Sequence, residues 1–152
     1  MNTNEKLKLA GKLSVVLKDS NGKVKENREI PNLVVNSGLA FIISRMKDAT
    51  DSVMSHMAVG TDNTAAAAAQ TALLSELDRV ALDSTTITGS NNEKIEYVAT
   101  FGPGDGTGAL TEAGIFNAAA AGTMLCRTTF LVINKAASDT MEITWTITLS
   151  AT

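Results

Sequence analysis

Met141-Glu142-Ile143-Thr144-Trp145-Thr146-Ile147-Thr148-Leu149 places a large apolar residue at every second position, with a threonine or an acid between. Successive side chains of a strand point to opposite faces, so this stretch reads as a half-buried strand with a threonine row outward. The same period recurs outward from it. Ile95, Tyr97, Ala99 and Phe101 alternate with Lys94, Glu96, Val98 and Thr100. Met124, Cys126, Thr128 and Phe130 oppose Arg127 and Thr129. Leu13, Val15 and Leu17 oppose Lys12, Ser14 and Lys18, and Val16 interrupts the polar side.

Shorter strands are expected at residues 55–59 and 113–117, and one through Val80, Leu82 and Ile87. Residues 23–30 read as a polar edge strand, with Val24 and Ile30 inward and Glu26 and Arg28 between. Such charges discourage stray strand pairing. Pro31 lacks an N–H and is expected to end that ladder. Asp19-Ser20-Asn21-Gly22, Gly89-Ser90-Asn91-Asn92 and the small residues 118–122 supply turns.

One segment has a helical period. Leu39, Ile42, Ile43 and Met46 fall at i, i+3, i+4 and i+7, after Asn36-Ser37-Gly38 as a candidate cap and before Lys47. A short helix near residues 38–47, packed by that stripe, is expected. Ala65 to Ala69 are too few to nucleate a helix unaided and read as a surface connection. Many short strands about ten residues apart, with no βαβ rhythm, predict an all-β fold. The expected form is an antiparallel β-sandwich, jelly-roll-like, spanning residues 8–152 as one domain behind an N-terminal arm at residues 1–7.

The chain has 152 residues, 44% hydrophobic and 19% charged, which is enough to build a core without staples. Thirteen basic against sixteen acidic side chains give a net charge of −3 with no dense cationic block, so no nucleic-acid partner is expected. A single cysteine excludes an internal disulfide, and beside a single histidine it argues against a zinc cage. No apolar run reaches the roughly 20 residues of a membrane span, and the polar start shows no signal-peptide pattern. These features suit a protein made in a reducing cytoplasm.

The chemistry-bearing residues do not form a motif. His56 lies between apolar neighbours and reads as structural. Cys126 reads as a small buried hydrophobe and Trp145 as core. Gly102-Pro103-Gly104-Asp105-Gly106-Thr107-Gly108 has neither the lysine of a phosphate loop nor dinucleotide-binding glycine spacing. It reads as a sharply turned connection and a candidate protein contact. Asp105 and Glu112 flank this loop and Asp62 lies in another; a glycosidase-like pair among them is disfavoured, as is a calcium site through Asp19 or Asp62, neither of which has calcium-loop spacing. No catalytic, cofactor or metal-ligating residue is assigned. The polar faces, rich in Thr, Ser, Asn and Ala, desolvate cheaply and suit flat contacts between subunits. The contact candidates are Met1, Asn2, Thr3, Asn4, Glu5, Lys6 and Leu7 in the arm, and Pro103, Gly104, Asp105, Gly106 and Thr107 in the glycine loop.

Several stretches resemble a module of tailed-bacteriophage virion proteins. They are Met57 to Thr61, Arg79 to Leu82, Tyr97 to Asn117 with its Thr-Glu-Ala-Gly-Ile-Phe run, Gly122 to Phe130, and Asn134 through Trp145 to Leu149. Together they carry the likeness from about Asn32 onward. Similar modules occur in small capsid cement (decoration) proteins and in tail or fibre proteins. The compact size and mild negative charge favour the cement type. That resemblance implies a non-enzymatic virion part on the capsid exterior, binding the major capsid protein and copies of itself as a homodimer or homotrimer. A tail, fibre or baseplate component is the alternative. A β-sandwich enzyme is the third class.

Overall fold

The computed structural model describes residues 4–152. Their elements run β1 (Leu7–Lys18), β2 (Val24–Val34), α1 (Asn36–Lys47), β3 (His56–Gly60), β4 (Glu76–Ala81), β5 (Ser84–Thr88), β6 (Lys94–Phe101), β7 (Gly108–Phe116), β8 (Met124–Lys135) and β9 (Thr140–Ala151). The fold is all-β with one short helix, as the alternating pattern requires. Nine antiparallel strands lie in the order β4-β3-β7-β8-β2-β1-β9-β6-β5.

The sheet curls so that its two halves face each other across one core. Leu13, Val15, Leu17, Tyr97, Phe101, Met141, Ile143 and Trp145 come from one half, and Met57, Val59, Ala113, Ile115, Cys126 and Ile133 from the other. Each is an inward position of its strand. β2 joins the halves. It pairs with β1 from Val24 to Asn32 but with β8 only through Leu33 and Val34. Most of β2 is therefore the charged edge its sequence suggests.

Four expectations change. First, Pro31 does not end the ladder. It sits opposite Lys12, and its carbonyl accepts from Thr128 Oγ1 at 2.7 Å. One missing donor is tolerable where the strand is about to exchange one neighbour for another. Second, the single strand expected through Val80 and Ile87 is two strands at opposite ends of the sheet order. Leu82 N–H donates to the Ser55 carbonyl and Asp83 N–H to the Val98 carbonyl, so the chain crosses between halves there. Period two says which face a residue takes and nothing about which neighbour its strand pairs with.

Third, α1 begins two residues earlier than expected and packs by a different face. The Asn36-Ser37-Gly38 cap is not used: Val35 holds the N-cap position, and Ser37 Oγ donates to the Met124 carbonyl at 2.7 Å. Gly38 and Phe41 are buried, whereas Leu39, Ile43 and Met46 are 45%, 64% and 84% exposed. A Cβ at Gly38 would run into the Leu125 carbonyl. That close backbone approach sets the helix roll and turns most of the apolar stripe outward. Fourth, β1 takes in Leu7, the last residue assigned to the arm. Leu7 opens β1 opposite Ala151, and the Lys6 and Thr152 backbones exchange hydrogen bonds at 3.2 and 2.9 Å. Met1, Asn2 and Thr3 lie outside the described residues, while Asn4 and Glu5 are exposed.

Candidate contact surface at the open end of the fold

The outer face of the β4-β3-β7-β8 half is sealed by the connection at residues 61–75. Leu73 packs there with Val35, Ala58, Phe116 and Met124 in a second small core. Beside it lies an ion pair that sequence reasoning missed. Arg127, expected on an outward face, and Glu112, expected in a solvated loop, are both fully buried. Arg127 Nε and Nη2 donate to Glu112 Oε2 at 3.0 and 2.8 Å. Arg127 Nη1 also donates to the Thr64 carbonyl and to Gln70 Oε1, both at 2.9 Å. Glu112 accepts from the Leu74 and Ser75 N–H groups at 3.1 and 2.7 Å. The pair joins β8 to β7, and its remaining bonds tie the strap to the sheet. β8 is thus covered on both faces from Met124 to Thr128, and its alternation does not report burial.

The glycine loop is pinned as well. Gly104 and Gly106 take φ of 90° and 57°, which favours glycine. Gly104 N–H donates to the Ala137 carbonyl at 2.8 Å, and Gly106 N–H to Asp78 Oδ2 at 2.6 Å. The buried Lys135 ammonium donates to the Gly102 and Asp139 carbonyls, both at 2.8 Å. Burial holds the Lys135 amine below its ordinary value, against the pull of Asp139, Asp105 and Asp78. Gly106 is buried, and Pro103, Gly104, Asp105 and Thr107 are presented outward on this fixed turn.

The two groups of contact candidates do not meet. The glycine loop follows Phe101, which pairs with Met141 near the start of β9, whereas Leu7 pairs with Ala151 at its end. They sit at opposite ends of one long strand. The N-terminal end holds the larger opening. There the inward face of β1, β9, β6 and β5 outruns its cover, and α1 spans only part of it. The result is an apolar groove of about 450 Å³ between α1 and the sheet. Phe41, Ile42 and Arg45 form one wall, Ile87 and Ile95 the other, with Ile147, Leu149 and Tyr97 between. Burial pushes the Tyr97 phenol up to about 12, so it is a neutral hydroxyl at ordinary pH. Val53, Ile87 and Leu149, all in this lining, are 67%, 65% and 39% exposed. Leu39, Ile43 and Met46 continue the apolar surface over the outside of α1. The signal for that outward row was Gly38 three residues before Phe41, an alternative helix face that the longer stripe concealed.

The remaining candidates stay apart. Ser55 Oγ and His56 Nδ1 are 2.8 Å apart on neighbouring residues at the start of β3. Cys126 is fully buried, and burial pushes its thiol well up. Asp62 accepts from the Thr64 N–H and lies 3.8 Å from Arg127. Those contacts, the Thr64 N–H foremost, hold its carboxyl below the ordinary value. Among the described residues no three His, Cys, Asp or Glu side chains gather as a metal cage, and no helix is long and apolar enough to cross a membrane. Comparison with protein-family models, with curated proteins and with solved structures gives no match.

Proposed function

We propose that this chain is a structural protein of a bacteriophage particle, a capsid cement protein that attaches to the outer surface of the shell. One observation carries this: six of the twelve exposed large apolar side chains among the described residues gather at one end of the β domain, beside the start of the chain. Leu39, Ile43, Met46, Val53, Ile87 and Leu149 together expose roughly 700 Å² of residue surface, above the few hundred Å² usual for a monomer's largest apolar patch. Such a surface is stable in water chiefly when covered, so this domain is built to work against other subunits. The likeness of residues 57–61, 79–82, 97–117, 122–130 and 134–149 to phage virion modules supports the particle assignment. Those stretches fall mainly on β3, β6, β7, β8 and β9, whereas the α1 ridge and the exposed Asn4 and Glu5 lie outside them and are available for attachment.

The mechanism is physical. Many weak contacts repeated over a lattice add through effective concentration and resist outward pressure on the shell. Counting copies in purified particles of the phage encoding the chain tests it. Copy number proportional to capsid subunits, and rebinding to shells stripped of it, are the expected results. A handful of copies at one vertex would move it to the tail. Absence from particles would end the assignment.

A further inference from the structure

We propose that the open end is a self-association surface, on which two copies pair about a two-fold axis with the Leu39–Ile43–Met46 ridge of each seated in the groove of the other. Ridge and groove lie side by side on the same end of one chain. An isologous pairing therefore uses both at once, and each copy supplies what the other lacks.

Spacing, area and lining each favour this occupant. Leu39, Ile43 and Met46 fall at i, i+4 and i+7, the row that a helix presents to a complementary groove. The exposed lining of the groove is chiefly apolar, with Arg45, Glu93 and Lys94 also contributing, so it suits a hydrophobic ridge. The surface that Leu39, Ile43, Met46, Val53, Ile87 and Leu149 expose, roughly 700 Å² per chain, approaches the about 800 Å² that each partner contributes to a standard stable interface. Around the rim, Lys47 pairs with Asp48 at 3.1 Å on the helix side, and Glu93 stands on the opposite wall beside Lys94. The pairing also covers Ile87 on the β5 edge strand, an exposed apolar edge that would otherwise invite stray strand addition.

This inference goes beyond the virion assignment and stands without it, because its test needs only the purified chain. Sedimentation equilibrium of the full chain, from low micromolar to several hundred micromolar, should show a monomer–dimer transition. Ile43→Asp and Ile87→Asp, one on each side of the seam, should each raise the dimer Kd by about tenfold or more. Leu131→Asp, at an exposed leucine outside the groove lining, should leave the Kd unchanged. Far-ultraviolet circular dichroism of each variant checks that the fold is kept. A wild-type chain that stays monomeric throughout overturns the proposal, as does a dimer untouched by both Ile43→Asp and Ile87→Asp. If the chain is monomeric and Ile43→Asp abolishes shell binding, the groove belongs to the capsid subunit and self-pairing is refuted.

Discussion

The strapped flank over β7 and β8 and the open end beside α1 are both places where a sheet face runs past its partner half. One is closed by polar bonds inside the chain, the other left apolar and uncovered. Over the flank, a connection whose large apolar residues are only Leu73 and Leu74 is held by Arg127 and Glu112, which use carbonyls and N–H groups of the strap to satisfy a buried charge pair. At the end, a helix with ample apolar content covers only part of the sheet, because Gly38 rolls it toward β8. The contrast teaches that an apolar stripe does not choose its own burial. Backbone approach and polar satisfaction decide which surfaces a fold closes, and what remains is available to a partner.

The flank should be the costlier to disturb. Glu112→Ala removes the only carboxylate within hydrogen-bond reach of Arg127 and leaves a buried cation with an unanchored strap. A loss of about 3–5 kcal/mol is expected in urea unfolding. Glu112→Leu with Arg127→Met should recover much of it, since replacing both partners of a buried pair is often neutral. A loss below about 1 kcal/mol for Glu112→Ala would mean that the strap is held by Leu73 packing instead.

Gly38→Ala probes the roll of α1. The added methyl meets the Leu125 carbonyl, so the helix must shift, at about 1–3 kcal/mol for an overpacked site. Proteolysis or hydrogen exchange should show loosening confined to α1 and the groove, with the strap unaffected. Equal loosening of both regions would show that flank and end are one cooperative unit.

A smaller effect is expected where charge pins the glycine loop's neighbourhood. Lys25 Nζ, at 2.6 Å, and then the Ala136 N–H hold the Asp139 carboxyl below the ordinary aspartate value. A carboxyl whose folded value is depressed stabilises the fold above its unfolded value, near about pH 3.9, and that gain is lost as pH falls through the folded value. The thermal midpoint should therefore drop in that acid window, and Asp139→Asn should flatten part of the drop. An unchanged profile would remove Asp139 from the account. Smallest of all, Ile43→Asp should change monomer stability by no more than about 0.5 kcal/mol, since its side chain is already mostly in water. A larger loss would mean that α1 packs by its long stripe after all.

Much of the scaffold was legible in the residues. The inward sets of β1, β6 and β9 were read correctly because one covered face and one half-exposed face write period two into the chain. The core positions of Trp145 and Cys126 followed from the same rule. The failures share a cause. β8 is buried on both faces, so its alternation carries no information about the outside, and Arg127 passed as solvated. Glu112, next to a glycine-rich turn, looked like a loop residue because nothing local reports a strap arriving from residues 61–75.

The order of apolar and polar residues along the chain was enough by itself to make this an antiparallel all-β protein with one helix. Side-chain direction in an extended chain is a local property, and it needs no knowledge of neighbours. The pairing of each strand, the roll of α1, the buried Arg127–Glu112 contact and the apolar groove beside the N-terminal end were settled only in three dimensions. Each depends on a contact between segments distant in sequence, where a carbonyl, a charge or a missing Cβ on one segment meets its complement on another.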